Sequence, residues 1–208
     1  MAAAKPSPRS YTMRARAASS AQTADAILEA AYALFRAKSY DDVSLADVAD
    51  GAGVALKTVL RRFGSKDGLL LAVAQKYRGR EHTARRVPAG DIPEAARILA
   101  GRYEDSMDML ARFWPLEDRV ASVGSVLANA RADHRAWLSQ TFASYLPRRR
   151  GALHEQRLCE LVGATELYVW HLWRRRMGAS AATAEQALVE TLRALVAHWA
   201  RERRTSDG

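Results

Sequence analysis

Residues 44–67 read SLADVADGAGVALKTVLRRFGSKD, and their spacing decides the fold. Ser44-Leu45-Ala46-Asp47 has the form of a helix cap: a serine side chain accepts a backbone N–H three residues on, and the acid there faces the positive end of the helix. Leu45, Val48 and Ala49 supply an apolar side. Gly51 and Gly53 cut this helix short, and Ala52-Gly53-Val54 predicts a tight turn with left-handed backbone at Gly53. A second short helix runs from about Ala55 to Phe63 and stops at Gly64. Ser65 then caps a longer helix carrying Leu69, Leu70, Val73 and Tyr77. Two short helices around a glycine turn are a helix-turn-helix layout, placed at about 44–63.

Side-chain directions on the second short helix follow from its pitch of about 100° per residue. With Val59 facing the core, Phe63 lies about 40° away, Lys57 near 160° and Arg61 near 200°. Both cations therefore face outward. Leu56 and Leu60 form one flank, Thr58 and Arg62 the other. Such a helix suits a DNA major groove, with cations to phosphate or guanine and Leu56 or Leu60 within reach of a thymine methyl. Helix starts at Ser44 and Ser65 offer N–H groups to phosphates, and Lys66 adds a cation.

Upstream, Ile27, Ala31, Leu34 and Phe35 recur on one helical face, with Thr23 as its expected cap and Asp25 in its first turn. Residues 1–20 are Ala, Ser, Pro and basic, and read as a disordered arm with Arg9, Arg14 and Arg16 free to approach phosphates. Downstream, 79–91 is charged and loop-like. Helical patterns follow over about 93–113, 116–146, 153–177 and 180 to the end, separated by Pro115, Pro147 and Gly178. No alternating strand pattern occurs, so the expected class is all-α.

Composition narrows the partner. The 208 residues carry net charge +9, of which residues 1–87 hold +7 from 15 basic and 8 acidic residues. That asymmetry points to a polyanion. Arginine supplies 27 of the 32 basic residues, and its planar fork matches phosphate and guanine. No apolar run approaches the ~20 residues of a membrane span. Cys159 alone makes neither an internal disulfide nor a thiolate zinc site, which predicts a cytoplasmic protein. His134, His154 and His171 lack metal-ligand spacing. No nucleophile–base set or phosphate-cradling loop appears. The expectation is no catalytic residue, no cofactor, no metal and no enzyme activity. A basic peripheral membrane protein would need a continuous basic face, which this chain lacks.

Ile27-Leu28-Glu29-Ala30-Ala31, Leu34-Phe35, Ser44, Val48-Ala49, Ala52-Gly53-Val54, Thr58, Phe63 and Ser65-Lys66-Asp67-Gly68-Leu69, taken together, resemble the tetracycline-repressor (TetR) family over residues 23–77. Three positions depart from its usual pattern: Ala55 replaces a capping Ser or Thr, Leu60 a Tyr, and Ser39 a Gly. The resemblance implies a three-helix DNA-binding domain, here 21–81, and a helical ligand-binding and dimerisation domain, here 82–208. It implies DNA contacts from Ser44, Leu56, Lys57, Thr58, Leu60, Arg61, Arg62 and Lys66. It further implies a small-molecule cavity, where Tyr103, Met107, Trp114, Trp137 and Phe142 are the expected lining. The last two helices would form a homodimer, with Trp173 and Trp199 assigned to its face. The implied function is a cytoplasmic, nucleoid-associated bacterial regulator: a repressor released from a pseudo-palindromic operator by a ligand. The alternatives are an activator of the same fold or an all-helical enzyme. Cys159 is expected to be buried packing, and Arg174-Arg175-Arg176 a solvated helix end.

Overall fold

A computed structural model describes residues 8–84 and 87–206. Its helices are α1 (Pro8–Ala37), α2 (Leu45–Gly51), α3 (Leu56–Phe63), α4 (Lys66–Ala84), α5 (Ile92–Phe113), α6 (Ala121–Thr141), α7 (Ala152–Ala164), α8 (Leu167–His171) and α9 (Ala181–Ser206), with no strand among the described residues. Single 3-10 turns at Tyr40–Asp42 and Trp114–Leu116 precede α2 and α6, and a π-helical turn, Leu172–Arg176, extends α8.

The caps are local. The Asp47 N–H donates to Ser44 Oγ at 3.0 Å, Gly68 N–H to Ser65 Oγ at 3.1 Å, Glu94 N–H to Asp91 Oδ1 at 3.0 Å and Thr183 N–H to Ser180 Oγ at 3.0 Å. Gly53 has φ 64°, the left-handed region anticipated for the turn.

The first helix departs from expectation. α1 starts at Pro8, so 8–20 is helical rather than a disordered arm, and residues 1–7 lie outside the described residues. Alanine and arginine are strong helix formers, and proline is tolerated in a first turn. Thr23 is therefore mid-helix, and its hydroxyl donates to Ser19 O at 2.9 Å instead of capping. The side chains of Arg9, Arg14 and Arg16 lie outside the described residues. Likewise α4 continues to Ala84, shortening the loop expected over 79–91.

The pattern over 153–177 is not one helix. α7 ends at Ala164, and α8 starts again after Thr165 and Glu166. Thr165 turns its hydroxyl back to Leu161 O at 2.7 Å, and the Glu166 carboxylate accepts the Leu167 N–H at 3.1 Å. The arginine run beyond α8 is not merely solvated. Arg174 grips Glu104 through Nε at 2.6 Å and Nη2 at 3.0 Å, and Arg175 grips Asp108 at 3.1 and 2.8 Å. These two forks fasten the π turn to α5.

Two apolar cores result. One joins Leu99, Met107, Leu138, Trp170, Leu192 and Trp199 between α5, α6, α8 and α9, with Leu158 and Leu161 of α7. Trp199 is thus inside the protomer, its indole N–H donating to Glu160 at 2.7 Å and its ring lying under Arg157. It is not on an outer face, and Trp173 is partly buried against the same core. Cys159, expected inside, is exposed; it sits on the side of α7 turned from Leu158 and Leu161.

The other core joins Ile27, Ala31, Phe35, Val48, Val59, Leu69 and Val73 of the first four helices to Phe113, Leu116, Val123 and Leu127. The edge of Phe113 meets Phe35 at 6.2 Å and Tyr40 at 6.4 Å between ring centroids. The helix-turn-helix is therefore packed directly onto the end of α5 and the start of α6. Ion pairs brace the same junction: Arg36 forks onto Asp105 at 2.8 and 3.0 Å, and Arg119 meets Asp41 at 2.7 Å.

Candidate nucleic-acid interface and adjoining cleft

Burial of Val59, which is 0% exposed, fixes the roll of α3. Lys57 and Arg61 then stand exposed, as the helical wheel requires, and neither has a hydrogen-bond or ion-pair partner among the described residues. Leu56 and Leu60 are also exposed, at 42% and 43%. Thr58 is half-buried. Ala55 makes no side-chain cap at the start of α3, and the Thr58 N–H donates to Ala55 O at 2.8 Å.

The remaining site residues have structural partners. Ser44 caps α2. Arg62 turns back to Ser20 Oγ of α1 at 2.9 Å, which ties α3 to the extended first helix. Lys66 donates to Tyr40 O at 2.8 Å and lies 4.3 Å from the centre of the Tyr40 ring. Its ammonium holds the turn before α2 rather than pointing outward. The structure thus brings Lys57, Arg61, Leu56 and Leu60 onto one outer surface, flanked by Thr58, and keeps Arg62 and Lys66 as supports.

Beneath them lies a polar joint. Tyr40 and Ser122 both donate to Asp67 Oδ1, the former at 2.9 Å. These bonds, with nearby Lys66, hold the Asp67 carboxyl below its ordinary range. Burial, reinforced by Asp67, pushes the Tyr40 phenol up to about 12. The joint links α4, the Tyr40–Asp42 turn and α6.

Gly68 closes the turn between α3 and α4. A Cβ there would meet the Phe63 carbonyl oxygen, a backbone atom with little room to move. Alanine in a helix normally stabilises by about 1 kcal/mol over glycine. Here we expect Gly68→Ala to destabilise by about 2 kcal/mol net, because the clash displaces the end of α3. Thermal melting checks the sign: a raised melting temperature would show that the turn yields freely.

A cleft with about 650 Å³ of empty space, partly open to solvent, lies between α5, α6, α7 and α8. Of the residues expected to line a small-molecule cavity, Tyr103 and Trp114 lie on this cleft. Met107, Trp137 and Phe142 do not; they are packed into the core. The sequence reading missed His134, Arg131 and Tyr168. Tyr168 stacks on Trp114 at 3.9 Å and forms an aromatic wall. His134 is 8% exposed, and its Nε2 lies 2.8 Å from Thr165 Oγ1. The only proton on that hydroxyl goes to Leu161 O, so the imidazole donates from Nε2 and Nδ1 is left as an acceptor, buried without a partner. Burial, with the positive charge of Arg102, pushes His134 down to about 4.

Leu127, on the cleft wall, belongs to the N-terminal core, and Leu110 and Trp114 touch both cores. Among the described residues no group of three or more His, Cys, Asp or Glu side chains could hold a metal ion. No described helix is long and apolar enough to cross a membrane.

A second short helix locked on one side by Val59 and bearing Lys57 and Arg61 on the other, in an all-helical chain, is a helix-turn-helix layout. Residues 27–73 match the model for bacterial regulatory proteins of the tetR family. Solved structures share the fold over most of the chain. They include a candidate transcriptional regulator from Pseudomonas aeruginosa (TM-score 0.63, 16% identity, covering 86% of this chain and 92% of that one). A candidate TetR-family regulator from Mesorhizobium loti has TM-score 0.60 at 17% identity, covering 86% of this chain and 96% of its own. Another, from Rhodococcus sp., has TM-score 0.63 at 16% identity, covering 84% and 98%. Among curated proteins, none matches.

Proposed function

We propose that this protein is a sequence-specific repressor that binds a pseudo-palindromic operator as a homodimer and is released by a small molecule. The observation that carries the DNA reading is the pair Lys57 and Arg61, exposed and without a partner among the described residues, on a helix whose opposite side is locked by Val59. We assign DNA binding to residues 21–81, and ligand binding and dimerisation to 82–208. The dimer would use α7 and α9. Their outer faces carry small side chains, Cys159 and Gly163 on one and Thr191 and Ala194 on the other, all exposed. Small residues allow close helix approach in a four-helix arrangement across a two-fold axis.

The cleft supports the release step. A molecule that displaced Trp114 or Leu127 would press on side chains that also support the helix-turn-helix. Release requires that the ligand favour a conformation with the wrong spacing between recognition helices. The test is selection of bound sites from random duplexes, followed by binding at rising salt. Phosphate neutralisation requires a steep fall: about six contacts cost about 10³-fold in affinity between roughly 50 and 200 mM salt. A flat salt response would refute the electrostatic account. Sedimentation of the full chain checks the dimer, which a monomer at micromolar concentration would refute.

A further inference from the structure

The reading surface of α3 is half apolar. Leu56 and Leu60 lie one turn apart beside Lys57 and Arg61, and both are more than two-fifths exposed. Of the leucines on α4, Leu69 and Leu70 are buried and Leu71 is 42% exposed, but only Leu56 and Leu60 share a face with two cations unpartnered among the described residues. The exposed part of each side chain gains nothing from the fold, and each exposed methylene favours leaving water.

We propose that Leu56 and Leu60 read the 5-methyl groups of thymines, so that the preferred half-site carries thymines about two base steps apart, next to the bases taken by Lys57 and Arg61. This rests on the DNA-binding reading above and adds to it the apolar share of specificity. The spacing follows from geometry. Four residues of helix rise about 6 Å, and successive bases on a strand are about 3.4 Å apart. The thymine methyl is the one apolar group on the major-groove edge of the four bases. Charge complementarity selects duplex DNA as the occupant: an apolar protein surface laid on these leucines would also cover the two cations, whereas the major groove takes both kinds of side chain at once.

Replacing thymine by deoxyuridine removes the methyl and leaves base pairing, charge and hydrogen-bonding groups in place. The experiment selects sites with the full-length protein, then measures the selected duplex with each half-site thymine changed in turn to deoxyuridine. We expect about fourfold weaker binding for each methyl contacted, as burial of one such group implies. A Leu56→Ala, Leu60→Ala double variant, checked for an unchanged melting temperature, should bind thymine and deoxyuridine duplexes equally. Its affinity should fall to that of the parent protein on deoxyuridine. Equal affinity of the parent protein for both duplexes overturns the inference and leaves DNA binding intact, as does discrimination that survives in the double variant. If no duplex is retained at all, the DNA-binding reading fails and this inference with it.

Discussion

Reversing both outward cations, Lys57→Glu with Arg61→Glu, should abolish recognition of the selected operator. The expected loss is at least about 10³-fold, since each base-reading pair is worth about 1–3 kcal/mol and the reversal adds repulsion from phosphate. The fold should be indifferent, because both side chains are exposed and neither has a partner among the described residues. Exposed substitutions of this kind change stability by about 0.5 kcal/mol or less, about 2 °C for a chain of this size. The check is a paired measurement of duplex affinity and melting temperature. Affinity retained to within about tenfold would mean that another surface does the reading. The single change Lys57→Ala should flatten sequence preference. Lys66→Ala should instead loosen the turn at Tyr40 and Asp41, because that is where its ammonium sits.

Acid should weaken the protein through one histidine. His134 has an ordinary value of 6.5 and is held at about 4 by burial and by Arg102. Between these values the unfolded chain takes up a proton that the folded chain refuses. Stability is therefore full above about pH 6.5 and falls as the pH drops towards 4. The whole window is worth about 3 kcal/mol, of which about 2 kcal/mol is lost by pH 5. Paired carboxylates such as Asp67 and Glu104 are held below their ordinary range, so their stabilisation is present above that range and is lost only at lower pH. Urea unfolding at about pH 7 and pH 5 reads the effect. A His134→Gln variant, which keeps a donor for Thr165 but does not titrate, should lose most of the difference. A variant as acid-sensitive as the parent would acquit His134.

The helix-turn-helix end of this protein was legible because its determinants are local. Ser44 and Asp47 lie three residues apart, the turn needs Gly53, and one helical pitch turns Lys57 and Arg61 away from Val59. The cleft was not legible in the same way. Periodicity marks which side chains face inward, and Met107, Trp137 and Phe142 do so, but it does not say where facing surfaces fail to meet. His134 had no local signal; its role comes from Thr165, 31 residues away. Thr165 and Glu166 also explain the missed break between α7 and α8, where polar side chains bend back on their own chain inside an otherwise continuous apolar pattern. Trp199 was placed outside because a large aromatic fits an interface as well as a core. Glu160 and Arg157 decide the matter, and both belong to another helix.

The core that joins Phe35 and Val59 to Phe113, Leu116, Val123 and Leu127 bears on how the two halves of this chain can be recombined. A chimera cut in the loop after α4 would leave one fragment with a greasy scar and the other with nothing to seat on it. A graft that carries the end of α5 and the start of α6 along with the first four helices moves the whole contact intact. The natural seam for exchanging the helix-turn-helix in this protein thus runs through the middle of α5, some way past the point where α4 ends.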